Sequence, residues 1–344
     1  MNDFSRKLIA WQNQHGRHGL PWQGTRDAYR IWLSEIMLQQ TQVATVIPYY
    51  ARFLARFPAL TDLALASEDE VLALWSGLGY YSRGRNLLRA AEIMSERFNG
   101  EFPHQFDDIL ALPGVGRSTA AAISAFAFGE RRAILDGNVK RVFARYFGIA
   151  GFPGDKRVET KLWEHAELAL PDNNIEIYTQ ALMDLGATLC LRSRPLCAAC
   201  PISARCVAYR QHRVHELPSP RPKKTVPEKS TTMLLVRNKA EVLLEKRPQT
   251  GVWAGMWCFP ELADGISPEN FCRARYGLEI ETLQPWDVLE HGFTHFKLSI
   301  TPRPVVVRSQ RTHAEEPSVV WLSVQDALGA AIPKPVRALL LKMK

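Results

Sequence analysis

The sequence predicts two domains of different fold class, a nearly all-α domain followed by a smaller α/β domain. The 344 residues are enough for two domains. Helical periodicity dominates up to residue 216, and strand-like alternation starts only beyond residue 230. Between them, residues 217–230 are rich in Pro and basic residues, which is typical of an extended, semi-stiff linker with almost nothing to bury. We therefore expect domains at 1–216 and 231–344.

The composition is that of an ordinary globular chain with excess positive charge. Hydrophobic residues make up 46% and charged residues 23%, and the net charge is +8. Such an excess favours an anionic partner such as nucleic acid, although it also aids solubility. No apolar run approaches the roughly 18 residues that cross a bilayer, and the N-terminus lacks the hydrophobic core of a signal peptide. We expect a cytoplasmic protein of the bacterial cytosol or nucleoid, with no membrane partner.

The first domain is organised around residues 106–128, which predict a helix, a tight turn and a second helix. The turn L-P-G-V-G cannot be helix interior, because Pro lacks an amide donor and each Gly weakens a helix. Gly114 and Gly116 would let the first N–H groups of the second helix point outward, where they attract a phosphate. By itself, this motif leaves open both an enzyme and a non-enzymatic DNA-binding module.

Two acidic residues of the first domain are candidates for chemistry. Glu35 falls on the apolar face of a long helix predicted from Asp27 to about Ile47, where lost solvation raises a carboxyl pKa. Alternatively, Glu35 merely caps a helix or pairs with an arginine. Asp136 precedes Gly137 and a further amphipathic helix; at a helix N-terminus, amides and the helix dipole should keep it ionised.

Four of the six cysteines lie close together in the sequence. Their spacing is C-x6-C-x2-C-x5-C, formed by Cys190, Cys197, Cys200 and Cys206. This spacing favours four thiolates around a [4Fe–4S] cluster over a zinc ribbon, which joins two C-x2-C knuckles across a longer gap. The arginines nearby in sequence, which could compensate the thiolate charge, are Arg192, Arg194, Arg205 and Arg210. Cys258 and Cys272 are interpreted as small core hydrophobes.

Four features follow one another along the first domain: S-E-I-M-L-Q-Q-T-Q-V, L-P-G-V-G-R-S-T-A, I-L-D-G-N-V-K-R-V and the four-cysteine loop at 190–206. Together they resemble the adenine DNA glycosylases of the MutY family, which belong to the endonuclease III-like helix-hairpin-helix superfamily. The resemblance covers the whole chain. It implies a monomeric base-excision repair enzyme with a [4Fe–4S] cluster. Such an enzyme binds double-stranded DNA, flips out adenine mispaired with 8-oxoguanine or guanine, and removes it hydrolytically.

The resemblance also assigns roles to single residues. In the family, the residue at Glu35 protonates adenine, Asp136 is the second catalytic carboxylate, and Asn138 lies beside it; the capping interpretation of Glu35 is thereby set aside. The remaining residues that the resemblance assigns to substrate or DNA contacts are Trp22, Gln40, Tyr80, Gly114, Gly116, Ser118 and Gln180. Among them, Gln40 and Tyr80 match residues that wedge into the duplex, and Gln180 matches a contact to the flipped adenine.

One position separates this chain from relatives that also cut the strand. Those relatives, which resemble endonuclease III, carry a nucleophilic Lys where this sequence has Ser118. We therefore expect no dedicated lyase activity, although Lys140 could trap some product. A thymine-mismatch or oxidised-pyrimidine glycosylase on the same scaffold is the alternative enzyme. A non-catalytic Fe–S damage sensor is the alternative outside enzymes, but binding alone would need neither Glu35 nor Asp136.

The second domain resembles the MutT (Nudix-like) fold through K-R-P-x-x-G-V-W-A-G-M-W-C-F-P. A working Nudix hydrolase also needs a helix dense in Glu that binds Mg²⁺, and nothing after Pro260 supplies one, which argues against a second hydrolase. The family uses this domain to recognise 8-oxoguanine with a Phe-Ser-His loop. That loop matches Phe293, Thr294 and His295, with Thr preserving the hydroxyl of Ser.

Overall fold

The computed structural model describes residues 2–222, 226–310 and 318–343, and the chain forms two compact units. The first unit comprises Met1–Ala64 and Arg89–Lys223, and the second comprises Leu65–Leu88 and Lys224–Lys344. This grouping departs from the boundary expected at 216, because the segment from Leu65 packs with the C-terminal residues. The reason is apolar burial: Leu72 is fully buried in a cluster formed mainly by the C-terminal strands.

Helices dominate the chain up to residue 210, as the sequence predicts. In chain order they are α1 Asp3–His15, α2 Ala28–Leu38, α3 Val43–Arg56, α4 Leu60–Ala64, α5 Glu68–Trp75, α6 Ser82–Arg97, α7 Phe106–Leu110, α8 Arg117–Phe128, α9 Gly137–Phe147, α10 Lys156–Leu168, α11 Ile175–Asp184 and α12 Val207–Arg210. A π-helical turn, Leu185–Leu189, continues α11. Within the described ranges, none of the helices of the chain combines the length and the apolar character that spanning a membrane requires.

The core of the first unit lies around α9, whose apolar side chains recur at helical spacing. Val139, Val142 and Phe143 each expose at most 1% of their surface and pack with residues of α1, α8 and α11. The carboxylate of Asp136 accepts a hydrogen bond from the backbone N–H of Val139, as an N-cap residue does. The burial of one face of α9 therefore fixes the position of Asp136 within the unit.

The single long helix predicted to contain Glu35 is wrong, because α2 and α3 are separate helices. Gln40, between them, adopts a left-handed backbone with φ 57°, and Gln42 is the N-cap of α3. A left-handed residue cannot continue a right-handed helix. The apolar spacing continues across the break, so periodicity alone does not reveal it.

The second unit contains a mixed sheet, which confirms the predicted α/β class. Besides α5, its elements are β1 Glu228–Asn238, β2 Glu241–Lys246, β3 Trp257–Cys258, β4 Glu261–Leu262, α13 Pro268–Tyr276, β5 Leu278–Thr282, β6 Leu289–Gly292, β7 Lys297–Gln310, β8 Val319–Ser323, α14 Val324–Gly329 and α15 Lys334–Lys342. The strand order is β3-β2-β1-β7-β5, with β8 paired to β2, β4 to β1 and β6 to β7. β1 and β7 run parallel, whereas the other pairs are antiparallel.

Alternate residues of β1 enter two different apolar clusters, one on each face of the sheet. Met233 and Leu235 belong to the cluster that also contains Leu72. Leu234 and Val236 belong to a second cluster, formed with residues of α13. The helix α5, although distant in sequence, therefore covers one face of this sheet.

Both ends of the predicted linker at 217–230 are ordered. Leu217 exposes only 2% of its surface, and its carbonyl accepts a hydrogen bond from Nε of Arg145 at 2.8 Å. β1 already begins at Glu228. The expectation that the segment buries almost nothing is therefore wrong at Leu217, because this side chain completes a small apolar cluster. Residues 223–225 lie outside the described part of the chain.

Candidate active site

The predicted helix–turn–helix is formed by α7, a turn and α8. Gly114 in the turn adopts φ 78°, and Gly116 is the extended N-cap of α8. No described side chain accepts the first N–H groups of α8 as a cap, and a Cβ built on Gly116 would meet no atom within 4 Å. The start of α8 is therefore sterically open and carries unsatisfied donors, which is the arrangement that binds a phosphate.

Glu35 lies in α2 between buried apolar neighbours and has the properties of a general acid. Burial raises the pKa of Glu35 to about 8, and the negative charge of Asp136 is the second cause. No described arginine compensates its charge, and Asp27, not Glu35, caps α2. The alternative in which Glu35 is a cap or an ion-pair partner is therefore wrong. A carboxyl group with this pKa holds its proton at neutral pH.

Asp136 is the N-cap of α9, where its Oδ1 accepts a hydrogen bond from the N–H of Val139 at 2.7 Å. Burial raises the pKa of Asp136, whereas the N–H groups of Val139 and Asn138 and the charges of Arg141 and Lys140 lower it. The N–H groups at the helix terminus favour the ionised form, as the sequence predicts, but burial acts in the opposite direction and is the larger cause. The N–H groups and the two cations favour the ionised form of Asp136, and a negative charge there raises the pKa of Glu35.

Both carboxyl groups line a single cleft of about 1610 Å³ in the first unit. Of the residues predicted from the sequence, those lining the cleft are Trp22, Glu35, Gln40, Gly116, Ser118, Asp136, Asn138 and Gln180. Gly114 lies in the hairpin turn of the same unit, whereas Tyr80 and residues 293–295 belong to the second unit. The cleft exceeds the usual size of a small-molecule pocket, about 300–1,000 Å³, and so has room for a large ligand.

Sequence analysis missed a buried carboxylate at one end of this cleft. Asp184, which is fully buried, accepts hydrogen bonds from Gln180 Nε2 at 2.8 Å and Gln12 Nε2 at 3.0 Å. Arg17 donates to it from its backbone N–H and, through Nε and Nη2, from its guanidinium group at 2.9 and 2.6 Å. Asp184 therefore orients Gln180 and Arg17, both of which line the cleft. The i,i+4 spacing to Gln180 could have indicated one contact, but nothing local indicates Arg17.

Asn138 is held at the cleft by two features. Its Oδ1 accepts a hydrogen bond from Arg141 Nη2 at 2.8 Å, and the same nitrogen donates to the carbonyl of Gly186 at 2.7 Å. A Cβ built on Gly186 would lie 2.6 Å from Cβ of Asn138. The absence of a side chain at Gly186 therefore lets the π-helical turn approach the start of α9 closely.

Ser118 and Lys140 have different environments. Ser118 lines the cleft, and its Oγ accepts a hydrogen bond from the N–H of Leu135 at 2.9 Å. Lys140 forms an ion pair with Glu159, Nζ to Oε1 2.5 Å, and is not among the residues that line the cleft. The cleft that contains Glu35 and Asp136 is therefore lined by the hydroxyl-bearing Ser118 and not by the amine-bearing Lys140.

Gln40 and Tyr80, the residues expected to wedge into DNA, share an unusual backbone conformation. Both adopt positive φ, 57° for Gln40 and 49° for Tyr80, and both are exposed. A bulky residue with positive φ is uncommon, and such residues cluster at functional sites. Gln40 belongs to the first unit and Tyr80 to the second.

The four cysteines of the 190–206 loop line one small, apolar cavity of about 30 Å³. Burial raises the pKa of the Cys200 thiol to about 12 and also raises the pKa values of Cys197 and Cys206. Arg145, which exposes 3% of its surface, donates from Nη1 to Sγ of Cys190 at 3.3 Å and to the carbonyl of Leu191 at 2.6 Å. Four thiols around one cavity, with a buried cation beside them, fit a thiolate-ligated cluster.

The environment of the four cysteines differs in part from the one that the sequence predicts. Among the described residues, no three His, Cys, Asp or Glu side chains are grouped as ligands of a single metal ion. The buried cation at the loop is Arg145 of α9, which the sequence spacing did not indicate. Arg205, which was expected near the thiolates, instead pairs with Asp3 at 3.4 Å.

The predicted recognition loop of the second unit is a tight turn surrounded by aromatic rings. The N–H of Phe293 donates to the carbonyl of Phe296 at 2.8 Å, and their rings stack at 4.4 Å. The Phe293 ring also lies 5.4 Å from that of Trp253. Thr294 and His295, at the tip, are exposed. The turn therefore presents a hydroxyl group and an imidazole on a fixed aromatic base.

Two family models match the chain, one within its helical N-terminal part and one in its C-terminal part. One, described as the HhH-GPD superfamily of base excision DNA repair proteins, matches residues 33–167. The other, described as a NUDIX domain, matches residues 231–342. The predicted fold class is therefore confirmed.

Comparison with known proteins extends the match to the full length. The chain is 35% identical over 344 residues to the adenine DNA glycosylase of Buchnera aphidicola subsp. Acyrthosiphon pisum, covering 99% of this chain and 97% of that relative. It is 33% identical over 396 residues to the adenine DNA glycosylase of Homo sapiens, covering 96% and 72%. The solved structure of a thermostable thymine-DNA glycosylase aligns with a TM-score of 0.55 and 31% identity over 60% of this chain and 95% of that one.

An endonuclease III–DNA complex aligns with a TM-score of 0.52 at 22% identity, over 60% of this chain and 94% of that one, and shares the fold of the helical part. Full-length identity to adenine DNA glycosylases from bacteria to human accords with the two carboxyl groups in one cleft. This chain belongs to the adenine DNA glycosylases, the base-excision repair enzymes that cleave adenine from DNA.

Proposed function

We propose that the substrate is adenine paired with 8-oxoguanine or guanine in double-stranded DNA, and that the enzyme hydrolyses the N-glycosidic bond without dedicated lyase activity. The observation that carries this proposal is the cleft shared by Glu35, whose pKa is raised to about 8, and Asp136, whose carboxylate accepts a backbone hydrogen bond at the start of α9. One group can deliver a proton while the other bears a negative charge. That division of roles is what breaking a bond between a purine and a sugar requires.

In the proposed reaction, the adenine leaves the base stack and enters the cleft, because the bond is inaccessible inside a duplex. Glu35 donates its proton to N7 of adenine, which turns the base into a good leaving group. The bond breaks with development of positive charge on the sugar, and Asp136 stabilises that charge or bonds to the sugar transiently. Water then adds to the sugar, as in retaining glycoside hydrolysis.

The surrounding residues bind and orient the nucleotide in this proposal. Gln180, held by Asp184, contacts the flipped adenine together with Trp22, which is buried beside the cleft. Asn138 lies next to Asp136 at the start of α9. The open start of α8, with Gly114, Gly116 and Ser118, binds a DNA phosphate. Gln40 and Tyr80 enter the duplex, and the turn that carries Phe293, Thr294 and His295 recognises 8-oxoguanine.

The absence of lyase chemistry is supported by the environment of two residues. Ser118 cannot form a Schiff base with the sugar, and the amine of Lys140 is engaged by Glu159 outside the cleft. Strand scission by β-elimination uses an amine nucleophile. We therefore propose that the product keeps an intact strand with an abasic site, and that the enzyme acts as a monomer in the cytoplasm.

A [4Fe–4S] cluster held by Cys190, Cys197, Cys200 and Cys206 completes the proposal. Its chemistry there would be to cross-link the loop through four thiolate–iron bonds. Arg145 compensates part of the thiolate charge. The purified protein should carry about four iron atoms per chain and absorb broadly in the visible range. A colourless, zinc-loaded and fully active protein would contradict this assignment.

The decisive experiment for substrate and reaction is a set of duplexes that differ only in the mispair. Adenine is placed opposite 8-oxoguanine, guanine, cytosine or thymine, and a further duplex carries thymine opposite guanine. Free base is quantified, and strands are separated with and without alkali. We expect adenine release mainly opposite 8-oxoguanine and guanine, with scission only after alkali. Thymine release, or scission without alkali at the rate of base release, would contradict the proposal.

A further inference from the structure

The turn that carries Tyr80 is attached to the C-terminal sheet, although it lies far from it in sequence. It connects α5 to α6, and Leu72 of α5 and Tyr81 of the turn both pack in the cluster of β1 and β2. Lys246 of β2 additionally pairs with Asp69 of α5 at 2.7 Å. The position of the turn is thus determined within the second unit.

The backbone of the turn is left-handed at three residues, of which only Tyr80 is strained, and the turn is held by Arg83. Gly77, Gly79 and Tyr80 all adopt positive φ, 95°, 77° and 49°. Arg83 exposes only 7% of its surface, lies 5.5 Å from both the Tyr80 and Trp75 ring centroids, and donates to the carbonyl of Gly79 at 3.2 Å. A strained backbone persists only where surrounding contacts hold it. Tyr80, which exposes 48% of its surface, therefore lies at the surface on a backbone that these contacts hold.

Hydrogen bonds on both sides of the turn join it to the C-terminal part of the second unit. Before the turn, Oγ of buried Ser76 donates to the carbonyl of Ile332 at 2.8 Å, and Arg337 donates to the same Oγ at 3.1 Å. After the turn, Nη1 of Arg85 donates to the carbonyl of Ala254 at 2.7 Å. A charged donor makes the stronger kind of hydrogen bond.

The residue that Arg85 contacts lies beside the turn that carries Phe293, Thr294 and His295, called here the recognition turn. Ala254 follows Trp253, which exposes 6% of its surface and adopts φ 53°. The Trp253 ring lies 5.4 Å from the ring of Phe293 and 5.7 Å from that of His291. The backbone N–H of Arg85 also donates to the carbonyl of Tyr81, the residue after Tyr80, at 3.2 Å. A series of contacts thus runs from Tyr81, through Arg85 and the adjacent residues Ala254 and Trp253, to Phe293.

We propose that Arg85 and Ser76 are positioning residues that hold the Tyr80 turn against the Trp253 loop, so that the element entering the duplex and the element recognising 8-oxoguanine move as one body. This inference rests on the proposed function of both elements. Recognition of the lesion by the Phe293 turn then places Tyr80 in register with the mispair. Binding that fixes one element fixes the other without a further entropic cost.

The test compares Arg85→Ala with Arg89→Ala, a matched control one helical turn further along α6. Arg89 is exposed and pairs with Glu92 of the same helix at 3.0 Å. Single-turnover rates are measured on A:8-oxoguanine and A:G duplexes. Entry of the aromatic ring is monitored by the fluorescence of 2-aminopurine next to the mispair, in duplexes whose adenosine carries a 2′-fluorine that blocks base release.

Loss of about 1 Å in positioning can lower a rate by two orders of magnitude, so we expect Arg85→Ala to reduce the preference for A:8-oxoguanine over A:G by about tenfold or more. The 2-aminopurine signal should fall as well, whereas Arg89→Ala should match the native enzyme. Arg85→Lys, which retains a donor, should recover part of the preference. Reduced stability alone would lower both rates in proportion and leave their ratio unchanged.

Ser76→Ala provides a second test should Arg85→Ala not fold, because it removes only the hydroxyl group. If both variants fold and retain the native preference and fluorescence, the positioning role is wrong while the proposed function stands. If the native enzyme itself does not prefer A:8-oxoguanine over A:G, the proposed function of the recognition turn fails, and this inference fails with it.

Discussion

The cleft of the first unit and the recognition turn of the second unit differ in how far solvent reaches their candidate functional side chains. In the cleft, two carboxyl groups are largely shielded from solvent although their residues are only partly buried, and this desolvation shifts the pKa of each upward. At the recognition turn, Thr294 and His295 are exposed on a base of stacked aromatic rings. Chemistry on a purine needs groups whose protonation is set by the protein, whereas recognition of a base needs surfaces that DNA can reach.

The largest effect is expected when the ionisable proton of Glu35 is removed from the cleft, because this change should abolish chemistry in one region and leave recognition in the other intact. Glu35→Gln should lower adenine release by about 10²–10⁴-fold, the usual contribution of a general acid. Duplex binding should remain close to native, because the phosphate site and the aromatic turns are unchanged. Single-turnover release and binding by electrophoretic shift measure the two properties. Glu164→Gln, an exposed carboxylate in α10, is the matched control; a native release rate for Glu35→Gln would refute the assignment.

A smaller effect is expected from crowding the cleft without touching a carboxyl group. In Gly186→Ala, the new Cβ would lie 2.6 Å from Cβ of Asn138, so the start of α9 must shift. A displacement near the reacting groups should lower the rate by about 10²-fold. Gly329→Ala, where a Cβ meets no atom within 4 Å, should leave the rate unchanged. Equal rates for both variants would mean that this close approach does not position Asn138 for catalysis.

At the recognition turn, a substitution should lower the rate of adenine release mainly on duplexes that contain 8-oxoguanine. Phe293→Ala removes the ring that stacks on Phe296, and base–aromatic contacts contribute about 1–3 kcal/mol. We expect the A:8-oxoguanine rate to fall about tenfold more than the A:G rate. Leu283→Ala, which alters an exposed apolar side chain of the same unit, is the control. A uniform loss on both duplexes would indicate a general packing defect instead.

The pH–rate profile sharpens the assignment of acid and base. In the proposed reaction Glu35 must be protonated, so the rate should fall as pH rises through about 8. The reaction also needs ionised Asp136, so the rate should fall again on the acidic side, where that carboxylate takes up a proton. Single-turnover rates across this range, with native folding checked by circular dichroism, measure both limbs. A rate that keeps rising above the Glu35 pKa would contradict the role of Glu35 as acid.

The smallest predicted effect is on stability. The pKa of Glu35 is raised in the folded state, so its ionisation does not alter the free energy of unfolding below about pH 4.5. As pH rises from there towards 8, ionisation of Glu35 in the unfolded state lowers the free energy of unfolding. Glu35→Gln should therefore stabilise the protein at neutral pH, by an amount on the order of 1–2 kcal/mol after screening by solvent in the cleft. Urea unfolding at pH 5 and pH 8 checks the sign, since the gain must be larger at pH 8.

Much of the site follows from local sequence. The L-P-G-V-G turn and its flanking helices are confirmed, because a Pro followed by two closely spaced Gly residues strongly disfavours helix interior. Asp136 is the N-cap of α9 because the next residues start an amphipathic helix. The break at Gln40 could not be read in the same way, since apolar spacing continues through it. The pKa of Asp136 was also misjudged, because burial depends on packing from elsewhere in the chain.

The sequence by itself determined the fold class, the hairpin, the cysteine loop and the two acidic positions, since these depend on spacing and on helix termini. Only the tertiary structure decided that Arg17 and Gln180 converge on Asp184, that Arg145 faces the thiols, and that α5 covers the C-terminal sheet. Each of these last contacts except that of Gln180 joins residues far apart in sequence. Such contacts form because apolar burial brings distant elements together, and no local propensity encodes them.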